Sequence, residues 1–228
     1  MTKLLPIALL ALALAACAQP APSARDGAPA PAAGNVQPVA TEAPAGSYKL
    51  DPAHASLLFR VDHIGFSKYT GRFTDFDARL DLDPADPSRT SLTATIDPRS
   101  LTLDNPPAGF EAEIRGVNWL DAGRHPEMTF RSTAVQLTAP NAARVTGDFT
   151  MHGQTRPVTL DVTYNGAYAG HPLDPNARIG FSAKGTLKRS DFGISVGIPA
   201  PGTKMGVSDD VEIILEAEFT GPPLATKK

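Results

Sequence analysis

The stretch VEIILEAEF, residues 211–219, alternates apolar and acidic side chains along most of its length. A period of two is typical of a β-strand, because successive side chains point to opposite faces of a sheet. Val211, Leu215 and Phe219 would then face a core, and Glu212 would face water. The stretch therefore predicts a half-buried strand near the end of the chain.

Seven further segments show the same alternation. They are residues 56–63, 75–82, 92–97, 128–131, 145–151, 158–164 and 179–188. Pro, Gly, Asn or Asp residues stand at their boundaries, as expected for turns between short strands. The predicted fold class is therefore all-β, with about eight antiparallel strands in a sandwich or a barrel, in one domain over residues 47–221.

One segment breaks the period of two. Between residues 110 and 120 the apolar positions suit one face of a short helix, and Pro106 and Pro107 end the element before it. These apolar positions are Phe110, Ile114, Val117 and Trp119. The helix could cap one open end of a barrel, with Trp119 and Leu120 as an apolar plug, or it could pack outside the sheet. We expect the cap.

The inward positions of the predicted strands mix aromatic residues with small ones. An eight-stranded barrel is just wide enough to be filled by its own side chains or to hold a small ligand. Small inward residues, including Gly147 and Gly185, favour a cavity, whereas a taper of large and small residues would give a dry core. We expect an apolar ligand to contact Phe59, Val61, Phe76, Ala78, Leu80, Ala94, Phe130, Phe149, Leu160, Val162, Phe181, Ala183, Leu215 and Ala217. His63 is the one clearly ionisable inward residue.

The N-terminus has the layout of a secretory signal. Lys3 precedes an apolar run, and Leu14-Ala15-Ala16 leads into Cys17, the single cysteine of the chain. This ending resembles the lipobox of bacterial lipoproteins, which implies a signal peptide over residues 1–16 and acylation of Cys17, with palmitate as a typical acyl group. An ordinary signal peptide with Cys17 merely nearby is the alternative. Ala18 after the cysteine favours the inner leaflet of the outer membrane, facing the periplasm.

The segments that flank the domain are predicted to be disordered. Residues 17–46 comprise the acylated cysteine and a tether of mostly Ala, Pro, Gly, Ser and Gln, which cannot bury enough apolar surface to order itself. Residues 222–228 form a short tail. With 21 basic and 24 acidic residues the chain is mildly negative, so nucleic acid is not an expected partner. Membrane contact is expected through the lipid anchor only, and the sequence does not indicate an oligomeric state.

Several motifs taken together resemble the YceI-like family of periplasmic, polyisoprenoid-binding, lipocalin-like proteins. They are the segments 48–59, His63, 71–73, 119–121, 125–130, 145–153, 189–193 and 207–211, with Phe149 where Leu is common. The resemblance covers nearly all of residues 47–219. It implies a closed antiparallel barrel whose apolar tunnel holds an isoprenoid chain, such as a quinone or its precursor, for storage or transport. It assigns no single decisive contact, and Asp191 could hold Arg189 in a loop ion pair.

Two other function classes have some support in the sequence. Residues 193–197 match the Gly-x-Ser-x-Gly motif of esterases, but that fold needs an acid and a histidine downstream of Ser195, and no histidine follows His171. We therefore expect no catalytic residues and no cofactor. The five histidines show no metal-site spacing, so no metal is expected, although His54 and His63 would be the pair to consider. A filled barrel that acts as a structural or stress-related interaction protein is the main alternative.

Overall fold

The computed structural model describes residues 36–224, and the predicted signal peptide and Cys17 lie outside this range. The described chain forms ten β-strands. They are β1 (Gly46–His63), β2 (Ser67–Phe73), β3 (Phe76–Leu82), β4 (Ser91–Ile96), β5 (Leu101–Leu103), β6 (Met128–Ala139), β7 (Ala142–Met151), β8 (Gln154–Tyr168), β9 (Asn176–Lys188) and β10 (Val207–Pro223). One α-helix, α1 (Phe110–Arg115), and short 3-10 helices at Pro87–Arg89, Pro98–Ser100 and Arg189–Phe192 complete the fold.

Eight of these strands close into a ring. The order is β1-β3-β4-β6-β7-β8-β9-β10, and β10 pairs back onto β1, with every pairing antiparallel. β2 continues β3 along the second half of β1, and β5 pairs with β2 beyond the end of β4. The structure therefore confirms the predicted eight-stranded antiparallel barrel and decides against the open sandwich. At two positions around the ring the chain is divided by a kink into two strands, β2 with β3 and β4 with β5.

The first strand bends to take part in the closure. Its first residues pair with both β3 and β10, and its second half pairs with β2 and β10. The register between β1 and β10 shifts between Leu50 and Ala55, where β1 has more residues than the strand that it pairs with, as in an enlarged β-bulge. A bulge bends a strand and increases its twist, and this lets one long strand follow the curved wall.

The two ends of the barrel differ in what covers them. At one end, here called the helix end, lie α1, the β1–β2 turn at residues 64–66 and the loop at residues 193–206. At the other end lie the β3–β4 loop, the β6–β7 turn and the β8–β9 loop. This end is here called the strap end, after residues 36–45, which cross it and are described below. No helix among residues 36–224 is long and apolar enough to cross a membrane.

The helix is shorter than the segment that predicted it. It ends at Arg115, where the backbone N–H of Gly116 donates to the carbonyl of Glu113, and the chain then turns through residues 116–120. Val117 is 67% exposed, so its predicted place on the apolar face is wrong. Phe110, Ile114, Trp119 and Leu120 face the barrel interior, as a cap requires.

The last part of the predicted tether, residues 36–45, contacts the barrel and is here called the strap. The Val39 N–H donates to the Pro140 carbonyl at 2.7 Å, and the Tyr164 hydroxyl donates to Oγ1 of Thr41 at 2.8 Å. Ala43 is only 3% exposed. The structure thus differs from the prediction of disorder for residues 36–45. These residues cannot bury enough apolar surface to become ordered by themselves, but hydrogen bonds to the barrel hold them in place.

The C-terminal boundary also differs by a few residues. β10 runs through Pro223, and the Leu224 N–H donates to the Pro175 carbonyl at 2.7 Å. The first three residues of the predicted tail, 222–224, are therefore tied to the barrel, and residues 225–228 lie outside the described range.

Candidate functional site

The interior of the barrel is a cavity of about 680 Å³. This volume lies within the range of pockets that hold small ligands. All the residues predicted to face a ligand line it: Phe59, Val61, Phe76, Ala78, Leu80, Ala94, Phe130, Phe149, Leu160, Val162, Phe181, Ala183, Leu215 and Ala217. The period-two pattern placed each of them on the correct face, and their contact with a ligand stays a prediction.

The cavity exists because small and large side chains face each other across the strands. Ala183 stands between Val162 on β8 and Leu215 on β10, and Ala217 stands beside Phe181. Each alanine leaves space that a larger residue would fill, and aromatic rings such as Phe181 provide broad apolar walls. The wall is therefore apolar along most of the tunnel.

The inward glycines do not add to this space. A Cβ atom at Gly147 would lie 2.4 Å from the ring of Phe130, and one at Gly185 would lie 2.6 Å from Cδ2 of Leu160. Neighbouring side chains therefore already cover both glycine positions. The expectation that Gly147 and Gly185 enlarge the cavity is wrong, because a glycine in a strand also allows a neighbour to approach the backbone closely.

A buried arginine lies at the helix end of the cavity. Arg189 is 4% exposed, and its guanidinium donates to four backbone carbonyls, those of Ile194, Val196, Val207 and Ser208. Burial lowers the pKa of Arg189 below its usual range. The predicted ion pair with Asp191 is not formed, since the arginine bonds to carbonyls of the following loop and of β10.

The same arginine lies against the aromatic plug. Its Cζ is 5.2 Å from the centroid of the Trp119 ring, within the range of a cation–π contact. Nε1 of Trp119 is buried and has no hydrogen-bond partner within the described residues. Both side chains line the cavity, together with Tyr69 and His63. The helix end thus supplies polar groups to an otherwise apolar tunnel.

Sequence reasoning did not select Arg189 as a lining residue, although a signal for it existed. The alternation of β9 points Ala183, Gly185 and Leu187 inward, and one more step of two residues reaches Arg189. A charged residue in phase with an apolar face indicates a buried cation with specific partners. Trp119 was predicted as a plug, but its unpaired N–H could be identified only from the structure.

The strap end is lined differently. Pro38, Val39 and Thr41 of the strap contribute to the cavity wall, as do Asp83 and Asn141 from the neighbouring loop and turn. The strap crosses this end and is held by the hydrogen bonds to Pro140 and Tyr164 described above. Polar groups are therefore present at both ends, and the long middle part of the tunnel is apolar.

The esterase motif lies in an unsuitable place. Ser195 is exposed in the loop that follows the 3-10 helix Arg189–Phe192, and the next regular element is strand β10. A nucleophile elbow needs a strand before the serine and a helix after it. His54 and His63 do not form a pair either, because His63 ends β1 at the helix end, whereas His54 lies at the bulge near Asp51 and Glu218.

Together, the closed antiparallel barrel and its apolar cavity define a lipocalin-like protein that can enclose an apolar ligand. The model of the YceI-like domain family matches residues 48–219, so the chain belongs to this family. A UPF0312 protein of Vibrio cholerae is 36% identical over 176 residues, which cover 76% of this chain and 87% of that relative.

Solved structures agree on the fold. BcnA from Burkholderia cenocepacia matches with a TM-score of 0.62 at 27% identity, covering 74% of this chain and 98% of that chain. A polyisoprenoid binding domain from Saccharophagus degradans, implicated in plant cell wall breakdown, matches with a TM-score of 0.52 at 14% identity, covering 77% and 98%. At this low identity the second likeness is one of fold.

Proposed function

We propose that the barrel binds one isoprenoid lipid, of polyprenyl or quinone type, and stores or carries it without chemical change. The observation that carries the proposal is the apolar cavity of about 680 Å³ inside the barrel. Family membership and the fold likeness to a domain named as polyisoprenoid binding support the same ligand class.

The energetics of burial suit such a ligand. A buried methylene contributes about 0.8 kcal/mol, and an isoprene unit carries about five carbons. The cost of association is about 4–15 kcal/mol, so a chain of a few units offsets it. Because the middle of the cavity offers almost no polar partner, the binding free energy comes from the hydrocarbon chain.

The polar groups at the helix end suggest how the ligand is oriented. The buried N–H of Trp119 has no partner among the described residues, and the guanidinium of Arg189 lies directly over the same ring. A carbonyl or phosphate oxygen of a head group could accept from Trp119 and be stabilised by the positive charge. We place the oxygen-bearing head at this end and the apolar tail toward the strap end.

The proposal is tested by identifying what the protein carries. The full chain, produced in a bacterium that makes isoprenoid quinones, is purified and extracted with organic solvent, and the extract is analysed by mass spectrometry. We expect one isoprenoid species at close to one molecule per chain. An extract without isoprenoid, from a protein that also takes up none when it is supplied, would favour the filled-barrel interaction protein.

A second part of the proposal concerns location. The Leu14-Ala15-Ala16-Cys17 ending supports a lipoprotein that is anchored by acylated Cys17 to the inner leaflet of the outer membrane, with the barrel in the periplasm. Such a location would place the cavity close to a membrane source of its ligand.

Replacing the predicted acylation site tests this location. Cys17→Ser is expected to abolish incorporation of labelled palmitate and to leave the signal peptide uncleaved or cleaved elsewhere, because only a thiol is acylated in this pathway. Metabolic labelling and membrane fractionation of both proteins measure the effect. A wild-type protein that takes up no label and is washed from membranes by salt would contradict the anchor.

A further inference from the structure

Three potential metal ligands meet outside the cavity, at the helix end of the barrel. Asp121, His125 and His152 each offer one ligand atom, and these atoms lie within 4.8 Å of one another. Asp121 and His125 belong to the turn between α1 and β6, and His152 belongs to the turn between β7 and β8. None of the three lines the cavity, so the proposed lipid binding does not explain them.

The carboxylate of this cluster has one ion-pair partner among the described residues, an exposed arginine. Asp121 is 8% exposed, and its nearest cation is Nη1 of Arg124 at 3.8 Å, on a side chain that is itself 78% exposed. Within residues 36–224, no hydrogen bond reaches the Asp121 carboxylate, and no ion pair joins it to either imidazole. An exposed ion pair of this kind contributes little, so the Asp121 carboxylate remains able to bind a cation.

The histidine of the β7–β8 turn is held in place by a hydrogen bond to the core. Nδ1 of His152 lies 2.9 Å from the carbonyl of Phe192, and donation to that carbonyl leaves the lone pair on Nε2 free. Metal-binding histidines usually donate their second nitrogen in this way, which fixes both the tautomer and the ring orientation. Phe192 is fully buried, so this orienting bond is held by the core.

The second histidine packs tightly into the same site. The rings of His125 and His152 lie 5.3 Å apart, centroid to centroid, in an edge-on arrangement. A Cβ atom at Gly153 would lie 2.7 Å from Cε1 of His125, so the site depends on a glycine next to His152. Asp121 and His152 themselves have positive φ values of 43° and 51°. The positive φ of His152 follows from its place, with Gly153, in the two-residue turn between β7 and β8.

From these observations we infer that Asp121, His125 and His152 bind a divalent zinc ion, with the fourth position open to water. Two nitrogens and one carboxylate oxygen are a donor set that zinc accepts, and three protein ligands with an open position recur in zinc proteins. Ligand atoms on one tetrahedral zinc lie about 3.4 Å apart, as follows from bonds of about 2.0–2.2 Å. The three groups therefore draw together by at most about 1.4 Å on binding.

The second cluster of this kind is a weaker candidate and provides the control. Asp51, His54 and Glu218 also meet at the strap end, but His54 and Glu218 are exposed. Asp51 is already bonded to His54 and to Arg178, and these bonds lower the pKa of Asp51. A carboxylate that is neutralised by an arginine has little to gain from a metal.

Zinc binding would fasten two separate parts of the fold. The turn at residues 121–125 directly follows Trp119 and Leu120, which close the helix end, and His152 directly follows Met151 of the cavity wall. A metal shared by both turns would hold the plug against the barrel rim. We therefore expect zinc to raise the thermal midpoint of unfolding.

The test is a zinc titration of the full chain after treatment with a chelator, followed by calorimetry or by competition with a zinc-responsive dye. We expect one zinc ion per wild-type chain. Asp121→Asn keeps the volume and accepts the positive φ, yet it removes the anionic ligand. Loss of an outer-shell partner alone costs on the order of 10- to 100-fold in affinity. We therefore expect Asp121→Asn to lose about 100-fold or more, and His125→Gln to lose a similar factor.

A matched control variant and a second measurement, thermal unfolding, separate zinc binding at this site from binding elsewhere. His54→Gln, in the other cluster, should bind zinc as the wild type does. Zinc should raise the thermal midpoint of wild type and His54→Gln but not of Asp121→Asn, whereas all three should unfold alike in chelator. If Asp121→Asn does not fold, His125→Gln gives the same comparison. The inference would be overturned if Asp121→Asn and His125→Gln bound zinc with the same affinity as the wild type. It would also be overturned if His54→Gln lost the affinity for zinc.

Discussion

Ala183→Phe is expected to empty the barrel of its ligand with little effect on folding. Ala183 faces the cavity between Val162 and Leu215, so a phenyl ring at this position extends into ligand space. If the ring displaces only three methylene groups, binding weakens by about 2.4 kcal/mol, or roughly fifty-fold. Isoprenoid content by mass spectrometry and thermal unfolding of the lipid-free protein measure the two effects.

Matched variants separate cavity filling from a general response to a new aromatic residue. Ala217→Phe repeats the change on β10 at a second cavity position. Ala134→Phe places the same ring on the exposed face of β6 and should leave both lipid content and stability unchanged. A solid interior gives the opposite pattern, because overpacking costs about 1–3 kcal/mol and there is no lipid to lose. The proposal that the barrel holds a lipid would therefore be disproved if Ala183→Phe were severely destabilised and the wild type contained no isoprenoid.

Arg189→Met is expected to destabilise the protein by roughly 3–5 kcal/mol. The change removes all four donations to the carbonyls of Ile194, Val196, Val207 and Ser208 and leaves these partly buried acceptors without the arginine. Each such hydrogen bond to a charged group contributes about 1.5–3 kcal/mol, and the recovered desolvation of the cation offsets part of the loss. Urea unfolding at a constant m-value gives the difference.

The same variant should loosen the helix end in particular. Arg189 joins the loop at residues 193–206 to the start of β10 and to the ring of Trp119, so its loss should expose that loop to proteases. Lys188→Gln is the control, since its ion pairs with Asp209 and Asp210 are on the surface and should have no measurable effect. Unchanged stability and protease resistance of Arg189→Met would show that the loop is held by other contacts.

The period-two pattern predicted much of the barrel correctly. It placed Phe59, Ala94, Leu160 and Ala217, among others, on the inner face, because alternation along a strand is a local property of the backbone. It predicted eight strands around the barrel, and it located the start of the one α-helix of residues 36–224, which ends at Arg115 and not near residue 120. It missed strands β2 and β5, which lie outside the eight predicted segments, and with them the kinks that separate β2 from β3 and β4 from β5.

Other features depended on partners that are distant in sequence. The composition of residues 36–45 indicates disorder, yet Pro140 and Tyr164 hold this segment in place. Gly147 appears as open space in the sequence, but Phe130 on the neighbouring strand covers it. In both cases the deciding contact comes from another strand, so no local pattern could indicate it.

The sequence by itself determined which side chains point inward, that the fold is an antiparallel all-β domain, and that the interior is apolar. Only the tertiary structure decided that the interior is hollow, that Arg189 and Trp119 provide its polar end, and that Asp121 and His125 meet His152. The physical reason is that the backbone geometry of a single strand decides whether a side chain points into the barrel or out of it. Contact between distant side chains depends instead on strand register and closure, which the whole core determines together.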